Sequence, residues 1–309
     1  MTNFSMAVLT VQNITKKFPR VKALDNVSFE VPQGSVFGIL GPNGSGKTTL
    51  LGIIMDVLKA SEGQYLWNGE AGNAQQRRKV GTLLETPNFY HYLSAEKNLE
   101  IAAAIKGYPK DDIERVLKIV NLYERKDSSF STFSLGMKQR LAIASTLLGN
   151  PSTLVFDEPT NGLDPAGIAE IRRLIKNLSE QGKTIIMASH ILDEVEKVCS
   201  HVAILQKGVL KTSGTVSEVL ANNEEDEQII EISAANLDQL RELVTTFPGV
   251  NKISGNNGVL QIYCKNEITP ESINRQCYSQ NIILSHLSVR RKNLETRFLE
   301  ITDENKPVL

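Results

Sequence analysis

The sequence is poor in the features that mark secreted, membrane-spanning and disulfide-rich proteins. Its 309 residues include three cysteines, Cys199, Cys264 and Cys277, too few and too widely spaced for a disulfide framework or a zinc site. The chain contains no run of about 18 apolar residues, and its N-terminus lacks the basic and apolar blocks of a signal peptide. These absences favour a soluble protein of a reducing cytosol, so that any membrane role requires a partner.

The balance of charge argues against a further class. Lysine and arginine number 34 and aspartate and glutamate 35, which gives a formal net charge of −1 at pH 7. Proteins that bind nucleic acid mainly through its phosphates are usually strongly basic. We therefore expect no nucleic acid partner. With 41% apolar residues, the chain is long enough to form about two globular domains.

The most specific feature present is a glycine-rich segment between a strand pattern and a helix pattern. VFGIL is a short apolar run, GPNGSGKT follows at residues 41–48, and LLGIIMDVL has helical spacing. The segment matches G-x-x-x-x-G-K-[ST], whose backbone N–H groups surround phosphate while Lys47 reaches the β- and γ-phosphates and Thr48 binds Mg²⁺. A glycine turn that only caps a helix is the alternative, but the length of the motif argues against it. The sequence predicts nucleoside triphosphate binding.

Two carboxylates follow a second buried-strand pattern. TLVFD at residues 153–157 ends in Asp157, and Glu158 comes next. Because ligands of α/β sheets bind at the carboxyl ends of the strands, both acids can face one crevice. We expect Asp157 to hold Mg²⁺ through water and Glu158 to orient and deprotonate an attacking water. Without the phosphate loop, an ordinary solvated turn would be the better interpretation.

Two further patterns are compatible with phosphate contacts. His190 follows the strand pattern TIIMAS and can reach a γ-phosphate, although a lone histidine there is more often structural. FSLGMKQRLAIAS at residues 133–145 places Ser134 and Gly136 at the start of an apolar helix. Ser134 can cap that helix, Gly136 admits close backbone approach, and the positive helix end favours phosphate. Taken alone, this pattern would indicate a capped core helix.

Together, these motifs resemble the ATP-binding subunit of an ABC (ATP-binding cassette) transporter. GPNGSGKT, the SLG helix start, LVFDEPTNGLD and SH at a strand end follow the family's order and spacing, over about residues 7–220. SLGMKQR, where other members have SGGQ, is closest to the bacterial antibiotic-export and bacteriocin self-immunity type. The resemblance implies an α/β fold, a P-loop (RecA-like) ATPase core with an antiparallel β subdomain and an inserted helical subdomain at about residues 93–150.

The resemblance also implies a split nucleotide site. Two cassettes pair head to tail, as a homodimer or as a heterodimer with a related cassette, and each ATP, with its Mg²⁺, lies between the phosphate loop of one and the SLG segment of the other. Lys47, Glu158 and His190 would be catalytic, and Thr48, Asp157 and Glu85 would contact the metal. Nucleotide contacts are expected from Phe18, Gly41, Pro42, Asn43, Gly44, Ser45, Gly46, Lys47, Thr48, Thr49, Glu85, Ser134, Gly136 and Asp164.

Three of these positions carry an alternative or a departure from the family pattern. Phe18 corresponds to the aromatic residue that stacks on adenine, usually tyrosine, and a core phenylalanine is the alternative. Asp164 corresponds to a loop that touches the opposite subunit, and it can also cap a helix before Pro165. Glu85 stands where most relatives have a glutamine that senses Mg²⁺ and water, so it adds negative charge beside the metal.

The rest of the chain predicts helices and a second domain. Ser94 can cap a helix, and PNFYHY at residues 87–92 is an aromatic segment that the resemblance assigns to permease docking, with a structural loop as the alternative. After the acidic linker ANNEEDEQ, strand and helix patterns follow the order βαββαβ, which predicts a small α+β, ferredoxin-like fold. We set the cassette at residues 1–222 and an accessory domain at 223–309.

The sequence thus predicts an ATPase subunit of an exporter, which drives a separate integral membrane permease from the cytoplasmic face of the cell membrane. The alternative is a soluble ABC-family switch acting on ribosomes or chromosomes, but such proteins usually carry two cassettes or a long coiled-coil insertion, and this sequence has neither. A small-molecule kinase would leave the SLG helix start and LVFDEPTNGLD unexplained. We expect the accessory domain to regulate or stabilise the dimer, with a passive appendage as the alternative.

Overall fold

The computed structural model describes residues 7–84, 89–220, 227–256, 258–265, 268–290, 294–295 and 298. Their contacts separate two units, a first that ends at Val216 and a second that begins at Ser217. Within the described ranges, no helix is both long and apolar enough to cross a lipid bilayer.

The first unit is built from two sheets and the helices around them. Its strands are β1 (Ala7–Phe18), β2 (Val21–Pro32), β3 (Val36–Leu40), β4 (Glu62–Trp67), β5 (Glu70–Ala71), β6 (Val80–Leu83), β7 (Thr153–Asp157), β8 (Thr184–Ser189), β9 (His201–Gln206) and β10 (Val209–Thr215). Its helices are α1 (Lys47–Ile54), α2 (Ala74–Arg77), α3 (Ala95–Lys106), α4 (Asp112–Ile119), α5 (Leu135–Leu147), α6 (Pro165–Glu180) and α7 (Leu192–Val198). A further helix, α8 (Val216–Leu220), begins at the last residue of this unit and continues into the second.

A six-stranded sheet in the order β10-β9-β3-β8-β7-β6 forms the centre of this unit. All neighbouring pairs are parallel except the edge pair β9–β10. Every residue of β3, β7 and β8 is buried, as continuous apolar runs require when both faces of a parallel sheet are covered. Leu40 pairs with Ser189 and Asp157 with Ala188, so these three strands end side by side. The loops that follow them therefore share one edge of the sheet.

The second sheet of the unit is antiparallel, in the order β2-β1-β4-β5. Alternate residues of β1 and β2 point inward, and Leu9, Ile14, Leu24 and Val27 are completely buried. They pack in one cluster with α1 and with β3. This sheet confirms the antiparallel β subdomain that the sequence predicted.

The helices between β6 and β7 confirm the predicted helical segment. Ser94 caps α3, and its Oγ accepts a hydrogen bond from the Lys97 N–H at 3.2 Å. On α4, the residues spaced at helical intervals, Ile113, Val116 and Leu117, are buried. Two short 3₁₀ turns, Tyr123–Arg125 and Phe130–Thr132, lead from α4 into α5. The segment therefore ends by presenting the start of α5.

The second unit has the βαββαβ order that the sequence predicted. Its elements are β11 (Glu227–Ala234), α9 (Leu237–Thr245), β12 (Val250–Asn256), β13 (Val259–Lys265), α10 (Pro270–Ser279) and β14 (Leu284–Arg290). The sheet order is β12-β13-β11-β14 and every neighbouring pair is antiparallel, which is the ferredoxin-like arrangement. The linker from residue 221 to 226 and most of the predicted last helix, NLETRFLEI, lie outside the described residues.

All three cysteines lie among the described residues and are buried thiols. Cys199 follows α7 in the first unit, and Cys264 and Cys277 belong to the core of the second. Burial raises the pKa of the Cys199 and Cys277 thiols above the ordinary value.

Candidate functional site

The glycine loop between β3 and α1 shapes one wall of the site. Gly44 and Gly46 adopt positive φ of 78° and 106°, a conformation that favours glycine. A Cβ at Gly46 would lie 2.7 Å from the Ala23 carbonyl oxygen, so β2 approaches the loop closely. The start of α1 has no side-chain cap, and its first N–H groups therefore remain available for an anion.

Lys47 is the buried charge of this loop. Its side chain is only 6% exposed, and its Nζ donates to the Gly41 carbonyl at 2.8 Å and to the Pro42 carbonyl at 3.3 Å. The same ammonium lies 3.4 Å from Glu158 Oε1. The loop carbonyls and one carboxylate thus hold the lysine at the mouth of the glycine loop.

The loop after β7 supplies that carboxylate. Asp157 ends the strand and is buried, while Glu158 is left-handed, with φ of 47°, and donates its N–H to the Ala188 carbonyl at 3.0 Å. A glutamate in this conformation carries a backbone penalty of about 1–2 kcal/mol. The left-handed turn breaks the alternation of the strand, which is how consecutive acids come to lie at the same edge of the sheet.

His190 completes a three-residue contact group. Its Nδ1 lies 2.8 Å from Glu158 Oε2, while Oε1 of the same carboxylate faces Lys47. The histidine comes directly after β8, the strand beside β7. The structure thus brings the three predicted catalytic residues together on the two oxygens of one carboxylate.

The oxygen donors expected for Mg²⁺ lie on the same edge. Thr48 is exposed in the first turn of α1, and Asp157 ends β7. No cluster of three or more histidine, cysteine, aspartate or glutamate side chains suited to a metal occurs in the described part of the chain. This donor set fits Mg²⁺, which takes one or two protein oxygens and completes its shell with phosphate oxygens and water. Glu85, the third predicted metal residue, lies outside the described residues.

The remaining loop positions are arranged around the glycine turn. Pro42, Asn43 and Gly44 are exposed, whereas Ser45 is buried below them and Thr49 is half-buried. A Cβ at Gly41 would lie 2.3 Å from the Leu205 carbonyl oxygen, which requires glycine at the base of the loop. The exposed tip and the open helix start therefore form the surface available to phosphate.

Phe18 lies at the end of β1, opposite Val21 of β2. Its ring is 40% exposed, and the Lys16 ammonium lies 5.0 Å above the ring centre. Strand β2 continues to Ala23, the residue that contacts the glycine loop. The exposure argues against a core phenylalanine, and its role as a stacking face stays a prediction.

The start of α5 is a separate, exposed feature. Ser134 caps the helix, its Oγ accepting from the Met137 N–H at 3.2 Å, and Leu135 is 51% exposed. A Cβ at Gly136 would meet only the Gly167 Cα, at 3.9 Å, so the backbone there is open to close approach. The hydrogen bonds that the structure gives Ser134 stay within its own helix start. Ser134 and Gly136 are therefore not joined by them to the Lys47 group.

Asp164 caps α6, the neighbouring helix. Its Oδ1 accepts from the Gly167 N–H at 2.9 Å, and Pro165 occupies the first helical position, as the sequence predicted for a cap. The side chain is exposed. Leu135 approaches this loop, since its Cδ2 lies 3.5 Å from the Cβ position of Gly162. The starts of α5 and α6 thus form one exposed surface.

The described part of the aromatic segment is partly exposed. Phe89 packs edge-on against Phe130 at 5.2 Å, and the rings of Tyr90 and Tyr92 lie 6.0 Å apart. Tyr92 is 77% exposed. The segment is therefore anchored at Phe89 and presents tyrosine rings to solvent, and docking remains a prediction.

One contact near the site was not found from the sequence. Thr160, in the loop after β7, donates its hydroxyl to Glu194 Oε2 on α7, and both side chains are buried. Threonine in PTNGLD and an acid on a short helix are common patterns, so neither carries a signal by itself. Their proximity depends on the β7–β8 pairing, which the sequence does not specify.

Sequence comparison places the chain among ATP-binding proteins of transporters. A family model described as ABC transporter matches residues 24–161. An uncharacterised ABC transporter ATP-binding protein, YhcH of Bacillus subtilis, is 39% identical over 306 residues, covering 97% of each chain. The bacitracin transport ATP-binding protein BcrA of Enterococcus faecalis is 31% identical over 299 residues, covering 95% of this chain and 96% of its own.

Solved structures agree with the sequence comparison. An ATP-binding cassette of an ABC transporter in its ADP conformation superposes with a TM-score of 0.64 at 28% identity, over 69% of this chain and 92% of its own. A dimeric cassette in a post-hydrolysis state, bound to ADP and Pi, superposes with a TM-score of 0.59 at 26% identity, over 67% of this chain and 98% of its own.

Proposed function

This chain belongs to the ABC transporter ATP-binding protein family, and from that premise we propose that it is the ATP-hydrolysing motor subunit of an exporter. It binds Mg·ATP between two copies of the cassette, or between this cassette and a related one. Closure and hydrolysis then drive a separate permease in the membrane. The chain itself lies at the cytoplasmic face of that membrane, held there by the permease.

The observation that carries this proposal is the position of the Glu158 carboxylate. It faces the Lys47 ammonium at 3.4 Å with one oxygen and His190 at 2.8 Å with the other. These residues come from the loops after β3, β7 and β8, at the carboxyl edge where α/β sheets bind nucleotides. A purely structural turn would not bring a phosphate-loop lysine, an acid and a histidine to one point.

The arrangement supports phosphoryl transfer to water. The N–H groups at the start of α1 and the Lys47 ammonium bind and offset the negative phosphate oxygens. The Glu158 carboxylate orients the attacking water and accepts its proton, and His190 steadies that carboxylate and reaches towards the γ-phosphate. Thr48 and Asp157 would hold Mg²⁺, whose charge stabilises the phosphate oxygens when it is bound. No covalent intermediate with the protein is needed.

The exposed starts of α5 and α6 support a paired cassette. Ser134 and Gly136 offer a helix N-terminus to phosphate, yet their hydrogen bonds stay within their own helix start. A second subunit's nucleotide is the partner that we assign to this surface, with Asp164 beside it. The similarity to a dimeric cassette bound to ADP and Pi supports the same arrangement.

The exporter branch is supported by a relative rather than by geometry. The Enterococcus faecalis bacitracin transport protein aligns with nearly the whole chain, including the accessory part. We therefore place the chain in antibiotic export or self-immunity, and we assign residues 223–309 to a regulatory or dimer-stabilising domain. A neighbouring reading frame that encodes several apolar segments of about 20 residues would identify the permease.

The test is the Glu158→Gln variant, which keeps the shape of the side chain and removes its basicity. We expect turnover to fall by about 10²-fold or more, because a general base contributes roughly that much. ATP binding should persist, and ATP should hold the variant as a dimer in gel filtration. Glu180→Gln, the same change on the exposed end of α6, is the matched control and should behave as the wild type.

Three outcomes would contradict the proposal or a part of it. Normal turnover of the Glu158→Gln variant would remove this residue from the base role. A variant that binds ATP but elutes only as a monomer would argue against the shared site. Failure of the wild-type protein to hydrolyse Mg·ATP, alone and with its permease, would overturn the motor function.

A further inference from the structure

A buried carboxyl group lies near the carboxyl edge of the six-stranded sheet, which we call the nucleotide edge. It does not belong to the residues that the proposed mechanism uses. Glu194 belongs to the first turn of α7 and is only 3% exposed. Its Oε2 accepts the hydroxyl hydrogen of Thr160, which is also 3% exposed and lies in the loop between β7 and α6. The contact therefore joins two segments that are far apart in sequence and adjacent at the carboxyl edge of the sheet.

This hydrogen bond is the second of two side-chain contacts that join the same pair of segments. Glu158 and Thr160 are two residues apart on the loop after β7, and their partners His190 and Glu194 are four residues apart after β8. The Glu158–His190 contact faces the site and is partly exposed, whereas the Thr160–Glu194 contact is buried. The Glu158 N–H adds a backbone bond to Ala188 of β8. The loop is thus held at the catalytic residue and again just behind it.

Backbone hydrogen bonds in the turn after β7 link the anchored Thr160 to Glu158. The Asn161 N–H donates to the Glu158 carbonyl at 3.1 Å, and the Leu163 N–H donates to the Thr160 carbonyl at 3.2 Å. Glu158 itself has a positive φ of 47°, a conformation that persists only where the surroundings hold it. Release of Thr160 would therefore let the left-handed turn relax and carry the carboxylate away from Lys47.

The environment of Glu194 is unfavourable for a residue that only fills space. Burial raises the pKa of its carboxyl, and the Thr160 hydroxyl and the Arg172 guanidinium offset that effect in part. Its second oxygen, Oε1, is buried and has no hydrogen-bond partner among the described residues. Burial of such a group is costly, and apolar packing would be the simpler solution for a passive helix face.

We propose that Glu194 is a positioning residue for ATP hydrolysis, which holds the loop after β7 through Thr160 so that Glu158 faces Lys47 and His190. This role rests on the proposed function, because it presumes that Glu158 acts on ATP. Glu194 and Thr160 have no part in the phosphate contacts assigned to the glycine loop. Their loss should therefore affect the chemical step much more than nucleotide binding.

The experiment compares steady-state ATPase kinetics of Thr160→Val, Glu194→Ala and Glu194→Gln with the full-length wild type. Displacement of a catalytic group by about 1 Å can lower turnover by about 10²-fold, so we expect kcat of Thr160→Val and Glu194→Ala to fall by about 10- to 100-fold. The KM for ATP should change by less than about threefold, since uniform binding is retained. Glu194→Gln should keep most of the activity, because its amide oxygen still accepts the Thr160 hydrogen bond.

Thr146→Val is the matched control, since Thr146 is 1% exposed and the hydrogen bond that the structure gives its buried hydroxyl, to the Ile143 carbonyl, lies within α5. It should leave kcat unchanged. Addition of Thr160→Val to Glu158→Gln should lower the residual turnover little further, because two residues that act through one group are not additive. A general loss of structure would instead lower activity in both backgrounds and reduce binding of a fluorescent ATP analogue.

The results separate this inference from the function on which it rests. If the wild type hydrolyses ATP and Thr160→Val does so at the same rate, the positioning role is wrong and the motor function stands. If Glu194→Gln is as inactive as Glu194→Ala, the hydrogen bond is not what matters and the role is again wrong. If the wild type has no ATPase activity under any condition, the proposed function falls and this role with it.

Discussion

The interiors of the two units differ in kind although both are built from helices on a sheet. The first unit buries charged and polar side chains, among them Lys47, Asp157, Thr160 and Glu194. In the second unit, the buried side chains of the described residues are apolar or cysteine, as in Ile230, Ile262 and Cys277. Helices packed on a sheet therefore enclose a partly polar interior in the first unit and an apolar interior in the second.

The difference shows where function imposes a cost on stability. Burial of a polar group is unfavourable unless it is hydrogen-bonded, and a small domain folds well without one. In the first unit the buried polar groups are of two kinds. Asn98 and Lys183 bond to backbone carbonyls away from the carboxyl edge of the sheet, whereas Lys47, Thr160 and Glu194 lie at that edge. The comparison predicts catalytic effects from the second kind only.

The largest effect on ATPase turnover is expected in the first unit, from Lys47→Ala and from Ser134→Arg. Each variant alone should lose about 10²- to 10³-fold in turnover, because in the proposed pair of cassettes each change removes a stabiliser of transition-state charge from both sites. In an equal mixture, random pairing yields about half mixed dimers with one intact site each, so about a quarter of wild-type activity should return if the sites act independently. ATPase assays of the variants and the mixture provide the measurement.

The Ser134→Arg variant tests whether the start of α5 contacts a nucleotide, and the mixture tests whether two subunits share one site. If Ser134→Arg hydrolyses ATP normally, the start of α5 does not contact a nucleotide. If both variants are inactive and their mixture stays inactive under conditions that allow exchange of subunits, the two residues do not serve one site from different chains.

Substitutions in the apolar interior of the second unit should lower its stability without changing ATPase turnover. Ile262 is completely buried in β13, and Ile262→Ala should destabilise the second unit by about 3 kcal/mol through lost burial and the cavity left behind. Urea unfolding should show this loss, while ATPase turnover of the folded variant stays at the wild-type level. A fall in turnover under folding conditions would mean that the two units are coupled more tightly than their separate cores indicate.

Removal of the second unit is a milder test of the same separation. A chain that ends at Asn222 retains every described residue of the nucleotide edge, so its affinity for ATP should be close to that of the full chain. If the second unit adds dimer contacts worth about 1.4 kcal/mol, the protein concentration needed for half-maximal ATPase activity should rise about tenfold. Identical concentration dependence for both chains, with and without the permease, would make the unit a passive appendage.

The smallest effect is expected from a polar group of the first unit that lies away from the sheet edge. Asp112 Oδ2 accepts hydrogen bonds from the Arg115 guanidinium at 2.9 Å and from the Gly149 N–H at 2.8 Å. These hydrogen bonds lower the pKa of the Asp112 carboxyl. Because the folded-state pKa lies below the unfolded one, this stabilisation is present above the unfolded pKa and disappears as pH falls through the folded one. Asp112→Asn should therefore lose about 1 kcal/mol near pH 7 and much less in acid.

Urea unfolding at the two pH values measures this difference. Asp111→Asn is the matched control, since the neighbouring aspartate makes no cap hydrogen bond to the helix. Equal destabilisation by both changes would indicate a general effect of charge. Loss of ATPase activity in Asp112→Asn would contradict the restriction of catalytic effects to polar groups at the carboxyl edge of the sheet.

The sequence was sufficient for most elements of the fold because their patterns are local. VFGIL, TLVFD and TIIMAS predicted three strands, and the structure has them as β3, β7 and β8. The caps at Ser94, Ser134 and Asp164 also follow from local rules, since each acts on an N–H three residues away. The βαββαβ order of the second unit was likewise predicted, and its sheet order agrees with a ferredoxin-like fold.

The contacts at the nucleotide edge were only partly within reach of sequence reasoning. The motifs identified Lys47, Glu158 and His190, but not that one carboxylate faces both partners, because that depends on which strands are neighbours. Thr160 lies within LVFDEPTNGLD but no role was assigned to it, and Glu194 belongs to none of the motifs. The exposure of Phe18 was equally undetermined, since an aromatic residue at a strand end fits a core and a surface alike.

The buried thiols can report how often the structure around each of them opens. Alkylating reagents attack the thiolate, so Cys199, Cys264 and Cys277 should react only when the structure around them opens. Cys199 reports on the first unit, and the other two on the second. Timed alkylation followed by mass spectrometry of the separated peptides would thus give two opening rates from one unmodified chain. The effect of ATP on each rate would reveal which unit the nucleotide tightens.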